Sequence, residues 1–194
     1  MPTPAQRQFG VTAVELMVTL AVLAILLTTA APSFQGTIAS TRLTTTSNDL
    51  LASLAQARME AMRRGSRVTV CMSANGAQCA TTGTWSQGWI SFTDTSRAGA
   101  TASLDNGETL ISSTGPSSTA VSVAGSANVA QFISFGPDGR TWTMAGAAQT
   151  GTIRICSNAS SLTNNTRTRD LILIASGRII TQKTTGISSA CPAP

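Results

Sequence analysis

The sequence of 194 residues contains no histidine and no tyrosine, and Lys183 is its only lysine. Histidine is the side chain most often used for proton transfer near neutral pH, so its absence removes the usual general base. The sequence also has no Ser-x-x-Lys motif and no paired carboxylates that could act as nucleophile and base. We therefore predict that the protein is not an enzyme and uses no cofactor.

Charged residues are also scarce, at 11% of the chain, and serine, threonine, glycine and alanine take their place. This composition is typical of secreted β proteins and unlike that of a highly charged cytosolic domain. Three of the few carboxylates, Asp94, Asp105 and Glu108, have a spacing that fits no known calcium motif. We interpret them as part of a solvated turn and predict no metal site.

The four cysteines are Cys71, Cys79, Cys156 and Cys191, an even set whose spacing does not match a zinc site. A membrane-targeting segment precedes them, which favours disulfides in an oxidising compartment. The four can pair in three ways. We favour Cys71–Cys79, which closes a local loop, together with Cys156–Cys191, which ties the C-terminal tail to the body of the protein.

Residues 11–31 form an apolar run of 21 residues in which Glu15 is the only charge. A helix of this length spans the hydrocarbon of a bilayer, about 30 Å at 1.5 Å per residue. A secretory signal peptide or a plain anchor would leave the carboxylate unexplained, at a cost of up to about 3 kcal/mol. Cleavage between Gly10 and Val11 explains it, because a neighbouring subunit's new N-terminal amine could then neutralise Glu15.

This arrangement resembles the N-terminus of type IV pilins and pseudopilins. The resemblance implies that prepilin peptidase cleaves after Gly10 and methylates Val11, which places Glu15 and Pro32 at mature positions 5 and 22. It also implies an assembly role for Glu15 and Pro32. The matching residues are Gly10, Thr12, Glu15, Leu16 and Met17, followed by the apolar run and Pro32.

An amphipathic stripe continues the helical pattern beyond Pro32 and ends near Gly65. We predict one helix from Val11 to Arg64, about 80 Å long at 1.5 Å per residue and bent at Pro32. Its apolar positions are Leu43, Leu50, Leu54, Ala57 and Ala61.

After Gly65 the pattern changes to short strands separated by turns. Seven or eight strands predict two small antiparallel sheets beside the helix, and hence an α+β fold. The segment 158–168 is rich in Thr, Ser and Asn and is predicted to be a solvated loop. The strand segments are 66–72, 88–94, 108–113, 119–125, 131–142, 152–157 and 169–183.

Within this head, the sequence resembles the FimT/FimU and GspH group of minor pilins. The matching stretches are VTVCMSANGAQCATTGTWSQGWISFTD, FISFGPDGR and IRIC…LILIASGR…C. The resemblance implies a leader over residues 1–10, a membrane-spanning and filament-core helix over 11–36, and a periplasmic β-rich head over 37–194. Three aromatic residues of the head, Trp85, Trp89 and Phe92, could form a ligand-stacking surface, but we favour core packing.

Positive charge is concentrated at the C-terminal end, since residues 139–194 carry five arginines and one lysine against one acid, Asp170. Such an excess can attract the phosphates of duplex DNA without sequence preference. The resemblance also implies DNA binding, because FimT-type members of natural transformation systems bind DNA through a Gly-Arg-x-Arg motif near the C-terminus. The corresponding stretch here is Gly177-Arg178-Ile179-Ile180, which lacks the second arginine. The candidate DNA-contacting residues are Arg178, Lys183, Arg167, Arg169 and Arg154.

These features together predict a minor pilin, anchored in the inner membrane with a periplasmic head and then assembled near the tip of a type IV pilus. The alternative is a minor pseudopilin H of a type II secretion system. The expected partners are other pilins or pseudopilins, prepilin peptidase, the inner membrane and duplex DNA.

Overall fold

The structure, a computed structural model, describes residues 10–96 and 99–194, without the side chains of residues 29–33. It begins with the predicted long helix, α1, which runs from Ala13 to Arg64. The Thr12 hydroxyl caps α1 by accepting a hydrogen bond from the Glu15 backbone N–H (3.2 Å). The predicted leader lies outside the described residues except for Gly10, and the side chain of Pro32 is also outside them.

The exposure of apolar side chains changes along α1. Between residues 14 and 27, every large apolar side chain is 51–71% exposed. From residue 39 onward, one face of the same helix is buried against the rest of the protein. Among the residues described, no helix combines the length and the apolar character that crossing a membrane requires. The buried face consists of Ala39, Leu43, Leu50, Leu54, Ala57 and Ala61.

Eight strands follow α1 and form two four-stranded antiparallel sheets, in the orders β3-β2-β1-β5 and β4-β6-β7-β8. The predicted α+β fold is therefore confirmed. The strands are β1 (Val68–Met72), β2 (Trp89–Thr93), β3 (Leu110–Thr114), β4 (Val121–Gly125), β5 (Phe132–Phe135), β6 (Gly151–Ser157), β7 (Thr168–Leu173) and β8 (Ile179–Gln182).

The main core lies between α1 and the inner faces of both sheets and includes Trp85 and Trp89, whereas Phe92 belongs to a second buried cluster with Cys71, Ile90, Ala102 and Met144. Trp85 and Phe92 are fully buried, and Trp89 is 2% exposed. The Trp85 indole N–H donates to the carbonyl of Val129 (3.0 Å), and that of Trp89 donates to the hydroxyl of Ser53 on α1 (2.9 Å). Because both indole donors are satisfied inside the protein, these side chains stabilise the core and offer no stacking surface.

Two disulfides close the head, Cys71–Cys79 and Cys156–Cys191, which is the pairing that the sequence favours. The second joins residues 35 apart in sequence and holds the C-terminal tail against β6. Loop-closure entropy gives such a bridge about 4 kcal/mol, against about 2.5 kcal/mol for the local Cys71–Cys79 loop.

Candidate functional site

Arg154 forms an ion pair with Asp170 on the outer face of the second sheet, and both side chains are largely buried. It lies opposite Asp170 in the β6–β7 register, and its guanidinium binds both carboxylate oxygens at 2.9 and 3.0 Å. It also donates to the carbonyl of Pro192 (3.2 Å), while the hydroxyl of Thr184 donates to Asp170 (2.6 Å). The pair therefore fastens the C-terminal tail to the sheet. This differs from the expectation that Arg154 contacts DNA.

Arg167 is even less accessible, at 4% exposure. Its guanidinium donates to the carbonyls of Ser157 (2.8 Å), Ala159 (3.3 Å) and Leu162 (2.5 Å). Ser157 is the last residue of β6, and the other two carbonyls belong to the predicted polar loop, so a buried cation fastens the loop to the end of the strand. This burial disagrees with the expectation that Arg167 contacts DNA, because the end of β6 and the loop enclose its guanidinium.

We predict that Arg167→Ala lowers the free energy of unfolding by about 2 kcal/mol, because one buried and two part-buried carbonyls lose a charged donor. Chemical denaturation of the oxidised protein would measure this loss. Arg178→Ala is the matched control, since that arginine is exposed, and it should change the free energy by less than about 0.5 kcal/mol. Equal effects of the two substitutions would contradict the internal role of Arg167.

The other three candidate cations differ in accessibility. Arg169 is half-buried, and its guanidinium donates to the carbonyls of Thr168 (2.7 Å) and Thr166 (3.4 Å). Arg178 and Lys183 are exposed. Of the five predicted residues, these two lie on the surface of the described head in positions where they can contact a polyanion.

Arg178 lies in a tight turn between β7 and β8. The Gly177 N–H donates to the carbonyl of Ile174 (2.9 Å), and the Ile174 N–H donates to that of Arg178 (3.1 Å). Gly177 has φ = 77° and packs directly on a second turn: a Cβ at residue 177 would lie 2.0 Å from the carbonyl oxygen of Gly139. Only glycine permits this approach with this backbone conformation.

The second turn has the same Gly-Arg sequence. Gly139 has φ = 71°, and Arg140 after it is exposed. The guanidinium of Arg140 lies 5.8 Å from the ring centre of Trp142, and its backbone N–H donates to the carboxylate of Asp138 (3.1 Å). Arg140 is not among the candidates from sequence, although the repeated Gly-Arg dipeptide was visible there.

Arg58 on α1 connects the two turns. Its Nε donates to the carbonyl of Gly139 (2.9 Å), and its Nη2 donates to that of Ser176 (3.1 Å). One guanidinium thus binds the backbone of both turns and fixes them to the helix. We call the unit formed by residues 139–140 and 177–178 the paired Gly-Arg turns.

A further group of charges lies at the C-terminal end of α1. Glu60 accepts hydrogen bonds from Arg63 (2.7 Å) and Arg64 (2.7 Å). The Arg63 bond, followed by the Arg64 bond, holds the pKa of Glu60 below its usual value. Two cations and one carboxylate leave this end of the helix with a single net positive charge.

The acidic residues between β2 and β3 close a turn. The Glu108 carboxylate accepts hydrogen bonds from the backbone N–H groups of Thr95 (2.7 Å), Ser96 (3.1 Å) and Asp105 (2.9 Å). Within the described part of the chain, no three His, Cys, Asp or Glu side chains come together as metal ligands. Glu108 therefore acts as a backbone acceptor within the turn.

At the other end of the molecule, Glu15 projects from the first turn of α1 among exposed apolar side chains. No ion pair reaches its carboxylate within the described residues. Gly10 and Val11 precede the helix and are exposed. The structure therefore leaves the predicted processing site outside the folded head.

The family model of the type II transport protein GspH matches residues 46–177 of the chain. The crystal structure of the type IV minor pilin FimU from Pseudomonas aeruginosa PAO1 is similar in fold, with 18% identity and a TM-score of 0.50, and the match covers 72% of this chain and 87% of that one. A second crystal form of FimU gives 18% identity and a TM-score of 0.45, over 70% and 88% of the two chains. No curated protein matches the chain significantly in sequence.

Proposed function

The chain belongs to the GspH family, and on that premise we propose that it is a minor pilin of a type IV pilus. In this role it is a structural subunit whose helix joins the filament core and whose head is displayed on the surface. A position near the filament tip suits a subunit whose head carries its own binding surface.

The observation that supports this proposal most strongly is the exposed apolar segment of α1, residues 13–28. A helix that is apolar on every side is stable only when lipid or other helices cover it. Its large side chains from Val14 to Leu27 are more than half exposed, while the head packs on the other half of the helix alone. We propose that inner-membrane lipid covers this segment first, with the head in the periplasm, and that neighbouring pilin helices cover it in the filament.

Processing converts the segment into an assembly element. Cleavage after Gly10 by prepilin peptidase would place a positively charged, methylated amine on Val11, one helical turn from Glu15. The Glu15 of one subunit and the amine of its neighbour then neutralise each other in an apolar setting where either charge alone is unfavourable. Pro32 would give the helix the bend that filament packing requires.

Alternatively, the chain is a minor pseudopilin of a type II secretion system. The matching family, the type II transport protein GspH, favours this alternative. Both forms share the fold, the processing and the helix-packed filament. They differ in the location of the filament, because a pseudopilus stays in the periplasm and a pilus extends from the cell.

We predict that the chain in sheared surface filaments begins at Val11, as measured by mass spectrometry of its N-terminal peptide. Gly10→Val is the control: it blocks cleavage, so the chain should begin at Met1 and remain in the membrane fraction. A mature chain beginning at Pro32 would contradict the proposed processing. A processed chain confined to the periplasm, in cells that lose secretion when it is deleted, would assign it to the secretion system.

DNA binding is a second candidate function, and the accessibility of Arg178 supports it. This arginine is exposed on the β7–β8 turn, and Lys183 is exposed just beyond β8. Both belong to the C-terminal part of the chain, which carries the whole positive excess. We propose that this surface contacts the phosphates of duplex DNA, without reading its sequence.

A further inference from the structure

We propose that the paired Gly-Arg turns form one composite site for the phosphates of duplex DNA, in which Arg140 supplies the second cation. This inference rests on the proposed DNA binding and names the residues that perform it. The motif around Arg178 carries isoleucine at position 180, where the Gly-Arg-x-Arg pattern has its second arginine. In this fold the missing charge comes from a different loop.

The contact between the two glycines brings the arginines together. A Cβ at Gly177 would lie only 2.0 Å from the carbonyl oxygen of Gly139. Consecutive Cα atoms are about 3.8 Å apart, so the Cα atoms of Arg140 and Arg178 lie within about 10 Å of each other. Duplex DNA carries one charge per about 1.7 Å of its axis, so several phosphates fall within this span.

The site is also held in position before any ligand arrives. Arg58 binds the carbonyls of Gly139 and Ser176, so the two turns cannot separate without breaking hydrogen bonds to α1. The Arg140 guanidinium lies 5.8 Å from the ring centre of Trp142, which restricts its side chain. Preorganised cations lose less conformational entropy on binding than free ones do.

The carboxylate nearest to Arg140 in sequence, that of Asp138, makes hydrogen bonds within its own turn. Asp138 accepts hydrogen bonds from the backbone N–H of Arg140 (3.1 Å) and from the indole N–H of Trp142 (3.4 Å). The guanidinium of Arg140 points instead towards the ring of Trp142 and is exposed. The carboxylate keeps its charge, but Arg58, Arg140 and Arg178 outnumber it by three to one, so the paired Gly-Arg turns carry a net charge of +2, which favours a polyanion over a neutral ligand.

The test measures how full-length protein in detergent binds a short labelled duplex of random sequence over a series of salt concentrations. Each phosphate contact contributes about 0.9 to the slope of log affinity against log salt. We expect Arg140→Ala and Arg178→Ala each to reduce the slope by about 0.9, and to weaken binding about eightfold at 0.1 M salt. Arg140→Lys, which keeps the charge, should keep the slope.

Arg42→Ala is the matched control, because it removes an exposed arginine from α1 far from the turns and should leave the slope unchanged. If the parent protein does not retain the duplex even at low salt, the proposed DNA binding itself is wrong. If it binds and depends on Arg178, but Arg140→Ala behaves like Arg42→Ala, DNA binding stands and the composite site is wrong. Unchanged melting temperatures verify that the variants fold.

Discussion

Glu15→Ala is expected to reduce the protein's share of the filament fraction by at least about tenfold, while its membrane insertion and cleavage after Gly10 remain normal. A tenfold change corresponds to about 1.4 kcal/mol. A charged side chain within a membrane segment costs up to about 3 kcal/mol when it has no partner. Removing the carboxylate should lower the free energy of the helix in the bilayer. The loss of incorporation should therefore arise only when subunits assemble into the filament.

The structure explains why this effect is not one of folding. Glu15 is exposed at the start of α1, and in the described chain the helix side chains that the head buries begin more than twenty residues later, at Ala39. Its backbone N–H binds the Thr12 hydroxyl, which the substitution leaves intact. The substitution therefore removes only the proposed contact of the carboxylate with the N-terminal amine of a neighbouring subunit.

The measurement is quantitative immunoblotting of membrane and sheared-filament fractions, with N-terminal mass spectrometry to show that cleavage occurred. Glu15→Asp keeps the charge and should restore part of the incorporation, whereas Glu15→Gln keeps the shape and should not. Normal incorporation of Glu15→Ala would rule out charge pairing as the assembly contact. Failure of all three variants would point instead to the shape of the helix start.

The helix and the strands could be predicted from sequence because they depend on local periodicity. The apolar stripe that includes Leu43 and Leu54 faces the core as its spacing indicates. The predicted strand segment 131–142 is longer than the strand in the structure, where only Phe132–Phe135 is regular. The chain then turns, and Thr141 pairs with Phe135 in an isolated β-bridge. The end of a strand depends on how far it pairs with its neighbouring strand, and a short apolar run in the sequence does not show that pairing.

The candidate site could be predicted only in part, because charge in a sequence does not tell whether a cation is exposed. From the sequence alone, Arg154 and Arg167 are expected to be surface residues. In the structure the cross-strand carboxylate of Asp170 binds Arg154. One carbonyl of β6 and two carbonyls of the following loop enclose Arg167. The contact between Gly139 and Gly177 joins residues 38 apart. No local pattern encodes such a contact, so Arg140 could be identified only from the fold.

The glycine contact leads to the second large prediction: Gly177→Ala should lower the free energy of unfolding by about 4 kcal/mol. A left-handed backbone conformation costs a residue with a side chain about 1–2 kcal/mol. Overpacking against a rigid backbone adds about 1–3 kcal/mol. The new Cβ would meet the Gly139 carbonyl, and Arg58 holds that carbonyl by a hydrogen bond, so the turn cannot move aside without losing it.

Gly186→Ala separates the two contributions. Gly186 has φ = 78°, almost the same as the 77° of Gly177, but a Cβ there would meet nothing within 4 Å. Gly186→Ala should therefore lower the free energy of unfolding only by the backbone contribution, about 1–2 kcal/mol. For a chain of this size each kcal/mol shifts the melting temperature by about 2–4 °C, so calorimetry of the two oxidised variants resolves the difference. Equal melting temperatures would mean that the two turns are not in contact, and the reason for placing Arg140 beside Arg178 would be lost with that contact.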